Sequence, residues 1–160
     1  MKAFRVIIVL LIVVPTVEAD MVLRQWTAFR QEDGLVNNWV TSVLQDPDGA
    51  MWFGTGNGIS RYDGRQWKTY TEEDGLPGNF IRDMYVDASG TVWAASARQG
   101  RRESPQSISQ LSQGAWEEVA LPVTSAPYFG IRQILGLEND SACMVTESGA
   151  MLHLEHDKWR

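Results

Sequence analysis

From Val40 to Tyr70 the chain alternates short apolar runs with clusters of turn residues. Val40 to Gln45 is followed by the turn signal Asp46-Pro47-Asp48-Gly49, and Met51 to Thr55 is apolar and aromatic. Gly56 to Gly58 forms a second break, Ile59 to Tyr62 alternates, Asp63-Gly64 closes the unit, and Trp67 to Tyr70 follows. Runs this short, bounded by Asp, Pro and Gly, predict β-strands joined by tight turns. Beyond residue 20 no helical period competes with them, so the pattern predicts an all-β fold.

The same pattern recurs. Trp26 and Trp67 are 41 residues apart, as are Asp33-Gly34-Leu35 and Asp74-Gly75-Leu76, Asn38 and Asn79, Val40 and Ile81, Asp46 and Asp87, Gly49 and Gly90, and Trp52 and Trp93. A more worn copy follows. Ile108 to Leu111 matches Ile59 to Tyr62, Trp116 matches Trp67, Ile131 and Ile134 take the places of Val40 and Val43, and Ser148-Gly149 that of Asn57-Gly58. The repeats run over about 25–65, 66–114 and 115–158. Four strands in roughly 40–45 residues is the period of a β-propeller blade. The expected architecture is a partial β-propeller of about three and a half four-stranded blades. Tryptophans at repeated positions, Trp52 and Trp93 in second strands and Trp26, Trp67, Trp116 and Trp159 in fourth strands, read as packing between sheets. Trp39 alone stands outside this ladder.

These residues carry a family resemblance. Gly34-Leu35, Asn38, Gln45-Asp46, Asp48-Gly49, Met51 to Thr55, Asn57 to Gly64 and Asp74 to Pro77 resemble the two-component regulator propeller repeat. The likeness is strong over residues 25–96 and weaker beyond, where Cys143 stands in the tryptophan position. It implies a seven-bladed propeller, usually two in tandem, in the periplasmic sensor region of hybrid histidine kinases and related receptors. It also implies a following sandwich domain, a membrane helix and a cytoplasmic output, none of which is found in these residues. The sequence stops just after Trp159, partway into a fourth strand, so a fragment of a longer receptor is expected; association of copies into a ring is the other expectation.

Residues 1–19 have a different character. Lys2 and Arg5 precede the apolar run Val6 to Val14, Pro15 breaks it, and Val17-Glu18-Ala19 presents small residues to a signal peptidase. The run falls short of the roughly 20 residues needed to cross a bilayer. A cleaved signal peptide and an exported chain, residues 20–160, in or facing the periplasm, are expected. The formal net charge of −6 becomes more negative once this segment is removed, which argues against nucleic acid or an anionic membrane as a bulk partner. A single cysteine, Cys143, excludes an internal disulfide.

Positions copied between repeats serve folding, so candidate ligand contacts are those that break the repeat. On the face where first strands begin and second strands turn into third, Asn37 answers to Gly78, Trp39 to Phe80, and Asn57 to Arg98. An eight-residue insertion within 97–106 adds Arg101 and Arg102 to Arg98 on this same channel face. Arginine forks suit acidic groups and an aromatic suits a sugar face. The candidate ligand residues are therefore Asn37, Trp39, Asn57, Phe80, Arg98, Arg101 and Arg102, for a carbohydrate or other small molecule. No cofactor, metal-ligand cluster or catalytic residue is expected: two histidines lie in the worn repeat, and nearly every acid recurs in a turn. The expected function is non-catalytic ligand sensing in a two-component-type receptor. Two alternatives stay open: a propeller lyase or hydrolase fragment, and a free-standing interaction module that completes a ring by oligomerisation.

Overall fold

A computed structural model describes residues 27–97, 107–121, 130–136, 142–147, 149–155 and 158–159. Met1 to Ala19 and Trp26 lie outside them. Among the described residues twelve strands form three four-stranded antiparallel sheets. The first contains β1 (Val40–Gln45), β2 (Met51–Thr55), β3 (Gly58–Tyr62) and β4 (Trp67–Tyr70). The second contains β5 (Phe80–Val86), β6 (Val92–Ala97), β7 (Ser107–Ser112) and β8 (Ala115–Val119). The third contains β9 (Ile131–Gly136), β10 (Ala142–Thr146), β11 (Met151–Glu155) and β12 (Lys158–Trp159). In each, strands pair in sequence order, so every sheet is a meander. The sheets are phased one strand away from the sequence repeats: Trp67 opens a repeat but lies in β4, paired with Tyr62 of β3.

The hydrophobic core lies between sheets. One cluster joins Trp52, Ile59 and Tyr70 of the first sheet to Ile81, Met84, Val92, Ala94 and Trp116 of the second, with Leu76 from the connection. A second joins Trp93, Ala95 and Ile108 to Ile131, Ile134, Ala142, Met144 and Leu152. The ladder tryptophans do pack here: Trp52, Trp93 and Trp116 are buried, and Tyr70 stacks on Trp52 at 5.6 Å while meeting Trp116 edge-on at 6.0 Å. Phe29 repeats this arrangement one blade earlier, edge-on to Trp67 at 5.4 Å.

Recurring polar residues have recurring structural work. The Trp52 indole N–H donates to Asp46 Oδ2 at 2.8 Å, and that of Trp93 to Asp87 Oδ2 at 2.9 Å. The other oxygen of each aspartate closes its turn by accepting from the backbone N–H of Ala50 or Thr91. The Asp-Pro-Asp-Gly motif is thus an indole anchor and a turn. Asn38 accepts from the Gln31 N–H at 3.0 Å and Asn79 from the Glu72 N–H at 2.8 Å, holding the two 3₁₀ turns Gln31–Asp33 and Glu72–Asp74.

One repeated bond is broken, with a measurable consequence. Ser60 Oγ, buried in β3, accepts from the Val36 N–H at 2.9 Å. One blade on, Ser109 takes the place of Ser60, and Pro77, which has no N–H to donate, takes that of Val36. Ser109 Oγ is buried without a hydrogen-bond partner. An unmet buried hydroxyl costs about 1–3 kcal/mol, whereas losing the acceptor for a buried donor incurs a similar penalty. Ser109→Ala is therefore expected to be neutral or stabilising and Ser60→Ala to destabilise by about 1 kcal/mol, as read from urea midpoints.

Candidate functional site

The first strands β1, β5 and β9 lie side by side, as the inner strands of consecutive blades do. Each carries a β-bulge at the same place. Between the pairs Val40–Thr55 and Ser42–Gly54, Thr41 is an extra residue. Between Ile81–Ser96 and Asp83–Ala95 the extra residue is Arg82, and between Ile131–Thr146 and Gln133–Val145 it is Arg132. The bulge explains why Ile81 and Met84, and likewise Ile131 and Ile134, are both buried although three residues apart, a spacing that a regular strand would send to opposite faces.

Just ahead of these bulges the strands present an aromatic pair. Trp39 is 66% exposed, so its ring is available to a ligand. Its ring edge meets half-buried Phe80 with centroids 5.3 Å apart and planes at 76°. Gly56 makes room for this indole: a Cβ there would stand 3.3 Å from Trp39 Cε3. The Gly56 N–H also donates to the Trp39 carbonyl at 2.9 Å, tying the turn between β2 and β3 to the entry of β1. Both loops therefore reach one end of the inner strands.

The sequence candidates divide accordingly. Trp39 and Phe80 come together. Asn37 uses its Oδ1 to accept the Trp39 N–H at 2.7 Å, so it shapes the approach to the indole. Asn57 is exposed in the turn next to Gly56, and its backbone N–H donates to Thr55 Oγ1 at 3.1 Å. Arg98, Arg101 and Arg102 lie outside the described residues.

Sequence comparison of the loops passed over Arg82. Its guanidinium sits 5.1 Å from the centre of the Phe80 ring, in cation–π contact. Its Nε is buried without a hydrogen-bond partner. At the equivalent position Thr41 Oγ1 lies 3.0 Å from the Gly54 carbonyl oxygen and 2.8 Å from that of Ile81, sharing its single proton between them. The sequence signal is the change from Thr41 in the first repeat to Arg82 and Arg132 in the next two, on a strand. Neighbouring Asp83 has a structural task. Its Oδ1 accepts from Ser42 Oγ at 3.0 Å and from the Met84 N–H at 2.9 Å, and its Oδ2 accepts from the Ile134 N–H at 2.8 Å.

Inner strands laid side by side, meander sheets and cores between sheets define consecutive blades of a β-propeller. The two-component regulator propeller family model matches residues 34–57 and 75–98, each stretch running from the glycine after a 3₁₀ turn to the end of the second strand and the residues just beyond it. Two stretches of the chain are thus similar to the two-component regulator propeller repeat. No curated protein matches the sequence significantly.

Among solved structures, the extracellular domain of the hybrid two-component system BT3049 of B. thetaiotaomicron is similar, with a TM-score of 0.57 at 18% identity. The match covers 82% of this chain and 19% of that one. The extracellular domain of BT4673 from the same organism, described as a one-component system, gives a TM-score of 0.59 at 20% identity, covering 81% of this chain and 16% of that one. At these identities the likeness establishes the fold. The chain spans less than a fifth of the length of either structure. No helix among the described residues is long and apolar enough to cross a membrane.

Proposed function

We propose that this chain is the ligand-sensing, extracytoplasmic part of a two-component-type receptor and is itself non-catalytic. The observation that carries the reading is the exposed Trp39–Phe80 pair at the entry to the inner strands, on a fold shared with extracellular receptor domains. Residues 1–19 act as a cleaved signal peptide that exports residues 20–160 to the periplasm. Closed propellers need about four to eight blades, so the fitting partners are further blades of a longer receptor or another copy of the chain. A ligand can bias such a receptor only by binding one arrangement of its parts better than another.

The ligand class that suits this face is a saccharide, whose C–H face stacks on an indole. Screening the folded chain on a saccharide array, then repeating the measurement with Trp39→Ala, tests the reading. Because the indole is largely exposed, its removal should change stability by less than about 1 kcal/mol. Affinity for any saccharide bound by the unaltered chain should fall at least about tenfold. Full retention of binding by the variant would remove this face from the site.

A further inference from the structure

We propose that Arg82, together with Arg132 one blade on, forms an anion seat beside the aromatic pair and receives the carboxylate or sulfate group of an acidic saccharide. The proposal rests on the channel-face reading above and adds to it the charge of the ligand. Arg82 and Arg132 occupy the same bulged position on neighbouring inner strands β5 and β9. Those strands are joined next to the bulges by the Ile134 N–H on Asp83 Oδ2. Two arginines thus occupy equivalent positions on adjacent inner strands, where the first blade has only Thr41.

A structural role for Arg82 would show in its bonds, and it does not. Buried N–H donors are nearly always paired, and an orphan is costly. Thr41 spends its hydroxyl on two carbonyls, whereas the Nε of Arg82 meets no acceptor. The Phe80 ring supports the cation from one side without consuming its donors. Among the described residues neither Arg82 nor Arg132 is ion-paired. Asp83 accepts hydrogen bonds from Ser42 Oγ and from the Met84 and Ile134 N–H groups. Arg132 is exposed. An arginine that is planar, permanently charged and short of acceptors is suited to two-point recognition of a carboxylate or sulfate. The aromatic edge beside it would take the attached ring.

The test uses the whole exported chain with ¹⁵N-labelled arginine and tryptophan side chains, titrated with D-glucuronate, sodium sulfate and D-glucose. Glucuronate should shift the Nε–Hε signal of Arg82 and the indole signal of Trp39, and sulfate should shift Arg82 alone. Arg82→Gln should weaken glucuronate binding about tenfold, and Arg132→Gln, a change at an exposed position that leaves folding intact, severalfold. If Arg82 responds to both anions while Trp39 is silent, the seat stands and the aromatic reading falls. If Trp39 responds equally to glucose and glucuronate and neither arginine variant alters affinity, the seat is refuted and the channel-face reading survives. A silent Arg82 signal with both anions also refutes the seat.

Discussion

Gly75→Ala is expected to destabilise the chain by about 3 kcal/mol. Gly75 ends the 3₁₀ turn Glu72–Asp74 at φ +97°, a left-handed conformation that a β-carbon disfavours. Its surroundings make matters worse. A Cβ at this position would overlap the Trp116 carbonyl oxygen, a backbone atom that cannot swing aside as a side chain can. Relief would require the turn to lift off β8, and with it Leu76, which fills the core between the first two sheets. Gly64 provides the control: its φ is +91°, but a Cβ there would meet nothing within 4 Å. Gly64→Ala should therefore cost only the backbone strain, about 1 kcal/mol. Urea denaturation followed by tryptophan fluorescence would compare the two, and equal midpoints would show that the close approach to Trp116 is unimportant.

Asp83→Ala is the second large effect, expected at about 3 kcal/mol. This carboxylate belongs to β5 but bonds to Ser42 of β1 and to the backbone of Ile134 in β9, so one side chain fastens all three sheets. Ile134 is buried, and truncation would leave its N–H without an acceptor. Asp83→Asn should recover part of the loss, since one side-chain oxygen remains while the amide nitrogen cannot accept. The ordering wild type, Asn variant, Ala variant in urea midpoint is the expected result. An alanine variant as stable as wild type would mean that the bonds through Asp83 contribute nothing net.

Much of the fold was legible because propeller blades write themselves locally. The strands expected at Val40 to Gln45, Met51 to Thr55 and Trp67 to Tyr70 form with those limits, and Ile59 to Tyr62 gains only Gly58. The packing role of Trp52, Trp93 and Trp116 could be read from their recurrence, because a repeated large ring must fill a repeated gap. The bulges were not read, although the buried pairs Ile81/Met84 and Ile131/Ile134 are spaced by three residues. Strict alternation would have turned one member of each pair to the wrong face, and only an extra residue reconciles them. Missing the bulge meant missing Arg82, whose interest lies in the hydrogen bond that Thr41 makes and it does not. Among the candidate ligand residues, Trp39 and Phe80 could be picked out as differing at one position of successive repeats. Their contact could not, since it depends on how neighbouring blades are turned towards each other.

Placing the core between sheets also fixes how stability is distributed along the chain. Each cluster joins only adjacent blades, so the described array behaves as a short one-dimensional chain of units coupled to their neighbours. The central sheet, β5–β8, contributes to both couplings; the first and third each contribute to one. Either outer sheet can therefore melt by giving up a single interface, whereas loss of the central sheet dissolves both. Phe80 and Arg82, on β5, are thus carried by the most cooperative unit, and Trp39, on the approach to β1, by one that can open more readily.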